Sequence, residues 1–205
     1  MTRVLIATTN PDKLREIRWI LGWLPIEIVA LRDLAPVPEP DETGTTFADN
    51  ARAKALYYDT CLGAYGADRP YTVAEDSGLI VDALGGEPGV HSARFLRPGA
   101  SYPERFAEIY RRLGEAPLRT RSARFVCALA VVHKGKVIYE TTGTVEGEIA
   151  NAPRGERGFG YDPIFYYPAY ERALAEVTEE QKLRVAHRGE AFRRLANWLE
   201  GRLPL

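Results

Sequence analysis

An apolar run, a capping turn, an amphipathic helix and a second apolar run fill residues 3–30, and this opening constrains the fold more than anything else in the chain. Arg3-Val4-Leu5-Ile6-Ala7 is short and apolar and reads as a buried strand. Thr8-Thr9-Asn10 then offers capping side chains, and Pro11 suits a first helical turn, where its missing N–H costs nothing. Leu14, Ile17, Ile20, Leu21 and Leu24 recur at helical spacing, so a helix is predicted over 11–23, and 26–30 reads as a second strand. A strand–helix–strand unit of this kind predicts an α/β fold with at least one parallel strand pair.

The remainder fits such a fold. Residues 33–45 are broken by Pro36, Pro38 and Pro40 and read as a loop, after which Thr45 or Thr46 can cap a helix running to about 63. Residues 71–74 read as a strand that runs into a turn at Glu75-Asp76-Ser77-Gly78, with 79–81 resuming the strand. An amphipathic helix is predicted over 102–113. Two long β-rich runs, 121–133 and 137–149, flank Lys134-Gly135 as a hairpin. Residues 155–162 form a Gly-rich loop, Thr178 and Gln181 make a capping box, and a last helix is predicted over 189–201. With 205 residues and no Pro/Ser-rich linker, residues 1–205 read as one domain or two lobes sharing a core.

Charge narrows the function. The chain carries 27 Lys and Arg against 28 Asp and Glu, a balance that argues against broad binding to nucleic acid, which needs a basic face to release counterions. Cys61 and Cys127 form no CxxC signature and no disulfide framework. No stretch approaches the about 20 apolar residues of a membrane helix, and no signal-peptide core follows Arg3, so a soluble cytoplasmic protein is the expectation.

Four segments could carry chemistry. Thr8-Thr9-Asn10-Pro11-Asp12-Lys13 places hydroxyls, an amide and an ammonium at a strand-to-helix junction, which suits phosphate; it also reads as an ordinary cap with an exposed Lys. Glu42, Glu75 and Asp76 are hard oxygen donors suited to magnesium, and equally solvated acids with an Asx turn at Asp76. Arg157-Gly158-Phe159-Gly160-Tyr161-Asp162-Pro163 combines two glycines that allow close backbone approach with two aromatics able to stack on a base, or is a tight turn anchored by core aromatics. Lys182, His187 and Arg188 offer donors to a purine carbonyl or phosphate, or are a basic helix end before a Gly break. Basic residues are mostly Arg. Of the five Lys, Lys134 and Lys136 flank the hairpin turn, while Lys13, Lys54 and Lys182 fall in segments that could meet an anion.

Taken in order, these motifs resemble the inosine/xanthosine triphosphate pyrophosphatases (the ITPase family). The resemblance rests on Thr8–Lys13, Glu42-Thr43-Gly44-Thr45-Thr46-Phe47 with Asn50-Ala51 and Lys54-Ala55, Glu75-Asp76-Ser77-Gly78-Leu79, Gly85-Gly86 with Pro88-Gly89 and Ser92-Ala93-Arg94, Gly158–Pro163, and His187-Arg188-Gly189. It implies a mixed, twisted central sheet flanked by helices, two lobes with an active-site cleft between them, and a homodimer. It implies hydrolysis of ITP, dITP and XTP to the monophosphate and pyrophosphate with Mg2+, cleansing the nucleotide pool.

Carried over by position, Thr8, Thr9, Asn10, Pro11, Asp12 and Lys13 resemble the phosphate turn, with Lys54 as a further phosphate contact. Glu42 resembles a metal ligand, Asp76 the metal-linked general base, and Glu75 a further ligand or helper. Ser77 resembles a substrate contact; Phe159, Gly160, Tyr161 and Asp162 resemble the base loop; Lys182, His187 and Arg188 resemble substrate contacts. Glu75 stands where many members have Asp, and Val185-Ala186 where an Ile-Ser pair is usual. The alternatives are a Maf-like nucleotide pyrophosphatase with another base preference, or a nucleotide-sensing module without turnover.

Overall fold

The computed structural model describes residues 1–34, 36–62, 69–118 and 120–202. Seven strands form one mixed sheet: β1 (Thr2–Ile6), β2 (Ile26–Ala30), β3 (Tyr71–Val81), β4 (Ser122–His133), β5 (Lys136–Ile149), β6 (Phe165–Tyr167) and β7 (Arg172–Ala173), in the order β2-β1-β3-β4-β5-β6-β7. β1 lies parallel to both β2 and β3, in register Leu5↔Val29 and Leu5↔Thr72, while β6 pairs antiparallel with β5 and β7. The β1–β2 pair is the parallel pair that the opening strand–helix–strand unit predicts.

Among the described residues, five α-helices accompany the sheet: α1 (Pro11–Leu21), α2 (Phe47–Cys61), α3 (Tyr102–Glu115), α4 (Glu179–Val185) and α5 (His187–Glu200). The starts of α1 to α4 follow their caps. Asn10 and Thr46 accept from the first-turn amides of α1 and α2, Ser101 and Glu104 cap α3 reciprocally, and Thr178 with Gln181 does so for α4. The β4–β5 turn has positive φ at both Lys134 (53°) and Gly135 (76°), as a two-residue hairpin turn requires. None of these helices is long and apolar enough to cross a membrane.

The chain forms two compact units. One comprises Met1–Asp76, Cys127–Gly143 and His187–Leu205; the other comprises Ser77–Val126 and Thr144–Ala186. The crossings fall within β3, β4 and β5 and just before α5, not in linkers. In the first unit α1 packs on α5, burying Leu5, Ile17, Leu21, Phe192 and Leu195. In the second, Leu79, Val81, Phe106, Ile109, Phe125, Ile149 and Phe165 form the core.

Two expectations are corrected. Glu75-Asp76-Ser77-Gly78 is no turn: β3 runs unbroken through it, because both acids find tertiary partners that outweigh their poor strand propensity. The last helix starts at His187, and the buried Gly189 lies inside it instead of breaking it. Gly143 of β5 lets this first turn of α5 come close; a Cβ there would sit 2.2 Å from the His187 carbonyl oxygen and 2.6 Å from the Ala191 nitrogen. Gly143→Ala is therefore expected to cost about 1–3 kcal/mol of stability, as overpacking against backbone does. Thermal denaturation checks this, and an unchanged Tm would show that α5 does not depend on that approach.

Candidate active site

The site of the first unit begins where β1 ends. Ala7 N–H donates to the Val73 carbonyl at 2.8 Å, fixing the strand exit against β3. Asn10 Oδ1 then accepts from the N–H groups of Asp12 (2.9 Å) and Lys13 (3.1 Å), and Asn10 N–H donates to Thr8 Oγ1 (3.2 Å). The turn thus satisfies its own first amides, and the ammonium of Lys13 is the charge it offers. Thr9 is exposed, and Asp12 faces outward to Arg15. A cavity of about 360 Å³ adjoins the turn, lined by Thr8, Thr9, Asn10 and Pro11 together with Leu34 and Tyr58.

Helix α2 supplies the next groups. Phe47, Ala51 and Ala55 are buried along one stripe, and the same 3–4 residue spacing brings Asn50 and Lys54 to the protein-facing side. Asn50 Oδ1 accepts from Gly44 N–H at 2.8 Å, and its Nδ2 donates to Asp76 Oδ2 at 2.9 Å. One buried amide therefore ties the loop after Glu42 to Asp76. Lys54 pairs with Glu42 and donates to the Glu75 carbonyl oxygen at 3.3 Å.

The two adjacent acids of β3 sit in different surroundings. Glu75 Oε1 meets Lys13 Nζ at 3.0 Å and Arg188 Nη2 at 3.1 Å, and Cys127 Sγ–H donates to Oε2 at 3.2 Å. Arg188, 1 % exposed, also pairs with Glu16 of α1 at 2.7 Å. Burial alone would raise the Glu75 pKa, but Arg188 and Lys13 outweigh it and hold the carboxyl well below its usual range. Burial pushes the Cys127 thiol up, so it stays protonated. Asp76 shifts the other way: burial first, then the charge of Glu42, raises its pKa against the opposing Asn50 bond and Lys54 charge. One acid is a fixed anion and its neighbour a strengthened base, the division of roles that environment imposes on paired carboxylates.

In the second unit, Asp162 organises the aromatic loop. Its Oδ2 accepts from Phe159 N–H (2.8 Å) and from Lys182 Nζ (2.6 Å), and Lys182 also lies 4.6 Å from the Phe159 ring centroid. Gly158 has φ +70°, and a Cβ there would meet Asp162 Oδ2 at 2.2 Å, so this turn needs glycine. Tyr161 is a core residue whose hydroxyl donates to the Ser92 carbonyl. Phe159 and Gly160 remain partly exposed, and Ser77 is half-buried in β3.

The first unit thus brings together Lys13, Glu42, Lys54, Glu75, Asp76 and Arg188, with His187 buried at the start of α5. The second gathers Phe159, Asp162 and Lys182. The three lysines singled out among a mostly Arg complement each sit on a carboxylate: Glu75, Glu42 and Asp162. Sequence reasoning missed Asn50, Glu16 and Cys127 as site components. Asn50 and Glu16 had a signal, since each is a polar residue on the apolar stripe of its helix; Cys127 had none. Among the described residues no three acids, His or Cys form a ready metal cage. Glu42 and Asp76 still fit a hard cation by their donor chemistry, two carboxylates gathered around Lys54, the charge of Glu42 adding to burial in raising the Asp76 pKa. Glu75 already holds two cationic side chains.

The fold and site define an α/β protein with a buried acid–lysine centre at the edge of a capped strand-to-helix turn. Residues 4–198 match the Ham1 family, and the chain belongs to it. It is 43% identical over 195 residues to a dITP/XTP pyrophosphatase of Geobacillus kaustophilus, covering 95% of this chain and 93% of that protein. It is 44% identical to one of Acidobacterium capsulatum, covering 96% and 97%. A solved HAM1 protein from Coxiella burnetii superposes with a TM-score of 0.89 at 36% identity, covering 98% of this chain and 100% of that one. The Staphylococcus aureus Ham1 protein gives 0.85 at 34%, with the same coverage.

Glu75→Gln removes the carboxylate charge that pairs with both Arg188 and Lys13 and should cost about 3–5 kcal/mol at neutral pH, the usual cost of breaking a buried pair. The stability that ionised Glu75 contributes is complete above the usual carboxylate range and is lost as pH falls through its own lowered value. The gap in Tm between wild type and Glu75→Gln should therefore narrow in acid; a gap independent of pH would contradict this.

Proposed function

We propose that this chain hydrolyses non-canonical purine nucleoside triphosphates (dITP, ITP and XTP) to the monophosphate and pyrophosphate, and so clears them from the nucleotide pool. The observation that carries the reading is Asp76: a buried carboxylate of raised proton affinity, fixed by Asn50 and flanked by Lys54 and Glu42. That the relatives are dITP/XTP pyrophosphatases supports the same reading and weighs against the Maf-like and non-catalytic alternatives.

In this mechanism a water oxygen attacks the α-phosphorus, the bond to the bridging oxygen breaks, and pyrophosphate leaves with that electron pair. Asp76 orients the water and takes its proton. Lys13 and Lys54 offset charge on the triphosphate as it gathers on the leaving group, and Glu75 with Arg188 keeps Lys13 in place. Glu42 and Asp76 would hold Mg2+, with Glu75 as their helper, and the ion when bound would supply further neutralisation of the phosphate oxygens. Thr8, Thr9 and Asn10 shape the phosphate turn with Pro11 and Asp12.

For the base, Phe159 offers a stacking face beside Gly160, while Asp162 and Tyr161 hold the loop. Lys182, His187 and Ser77 are proposed as substrate contacts, with Arg188 a contact that also anchors Glu75. Donors facing the purine 6-carbonyl would reject adenine, whose amino group leaves a buried donor unpaired at about 1–3 kcal/mol. The reading includes a homodimer working in the cytoplasm, for which the support is the family resemblance, and no nucleic-acid or membrane partner.

Asp76→Asn keeps an oxygen to accept from Asn50 but removes the base. Turnover should fall by about 10²–10⁴, the contribution of a positioned general base, with little change in Tm. Pyrophosphate release from dITP, XTP and the canonical triphosphates, with and without magnesium, measures this. Near-normal turnover in the variant would remove Asp76 from the mechanism, and equal rates on canonical substrates would overturn the substrate class.

A further inference from the structure

Another cavity, with a polar lining, lies in the first unit away from Glu42, Glu75 and Asp76. Its volume is about 510 Å³, and it is lined by Met1, Thr2, Arg3, Arg69, Tyr71 and His133. The lining contains two guanidinium groups, an imidazole and two hydroxyls, and no carboxylate among the described residues. Tyr71 is the first residue of β3 and Asp76 the sixth, so five steps of strand, about 16 Å, separate this cavity from the proposed base.

Two side chains of the lining keep unmet hydrogen-bonding capacity. Arg69 Nε and His133 Nδ1 are buried and make no hydrogen bond among the described residues. Buried polar atoms of this kind are rare in folded proteins, because each costs the solvation it has lost. Arg69 is held by Asp59 at 3.0 Å through Nη2, which fixes its guanidinium without using Nε. Arg3 leans on Glu27 at 3.1 Å through its own Nε. The rings of Tyr71 and His133 lie 4.7 Å apart and tilted by 38°, which sets the imidazole edge in one orientation.

We propose that this cavity is a binding site for an oxyanion of the phosphate class, free or as a phosphomonoester. Planar guanidinium groups recognise tetrahedral oxyanions by directional pairs of N–H donors, and the two Arg side chains supply such donors from different strands and loops. An imidazole and the Thr2 and Tyr71 hydroxyls add donors that a neutral or cationic ligand would leave unsatisfied. The site does not depend on the proposed hydrolytic reading, and it shares no residue with the Asp76 centre.

The test uses the imidazole as a local reporter. His91, His133 and His187 are the only histidines, so substituting each in turn assigns their Cε1–H signals in the full chain. Inorganic phosphate is titrated at constant ionic strength, with chloride as the control and a phosphomonoester such as inosine monophosphate as the second arm. The His133 signal should move saturably with phosphate and not with chloride. In Arg3→Gln, a change at a partly exposed position, the midpoint should weaken about tenfold, the loss expected for one charge-assisted hydrogen bond. Hydrolysis of dITP by Arg3→Gln should be unchanged. A His133 signal that does not saturate, or one whose midpoint is the same in Arg3→Gln, would overturn the proposal. Saturation by the phosphomonoester but not by inorganic phosphate would narrow the ligand to the ester.

Discussion

In the middle of β3 two acids follow one another, and the pleat of the strand sends successive side chains to opposite faces. Glu75 goes to the face covered by α1 and α5, where Lys13 and Arg188 hold it as an anion. Asp76 goes to the face of α2, where it meets the Asn50 amide and shares the Lys54 ammonium with Glu42. One step along a strand thus separates a carboxyl held as an anion from one of raised proton affinity. A turn at the same place would have left both acids wet and alike. The remaining features of the first unit serve this separation. The Asn10 cap starts α1 at the point that brings Lys13 to Glu75, and Gly143 lets α5 approach closely enough for Arg188 to arrive.

The second unit is organised on the same principle with fewer parts. Asp162 is spent on holding Lys182 and the Phe159 amide, so the loop is fixed before any ligand meets it. On the proposed reading, a loop fixed in this way would lose little entropy on binding a flat base. Its aromatic members then divide by depth. Tyr161 is in the core, and Phe159 is the ring that remains partly accessible.

Much of this was legible in the chain itself, and the reasons are local. Caps at Asn10, Thr46 and Thr178, the Lys134-Gly135 turn and the 3.6-residue stripes act within a few residues, so they can be read without knowing the fold. The scarcity of lysine was a further local clue, since Lys13, Lys54 and Lys182 all reach carboxylates. What escaped was decided at long range. The strand through Glu75 and Asp76 looks like a turn until Lys13, Arg188 and Asn50 are brought to it from far along the sequence. The helix start at His187 likewise looked like a basic helix end, because Gly189 signals a break unless tertiary packing overrides it. The partners Glu16 and Cys127 could be assigned only once Arg188 and Glu75 had been placed.

The central claim is that neighbouring carboxyls on one strand are driven apart in acidity by their opposite surroundings. It is tested most directly by titrating the side-chain carboxyl carbons of Glu75 and Asp76 by NMR, each assigned by its amide variant. The account predicts that Asp76 takes up its proton above the usual Asp range, while Glu75 stays ionised throughout the usual Glu range. Two ordinary titrations, or the reverse order, would contradict it.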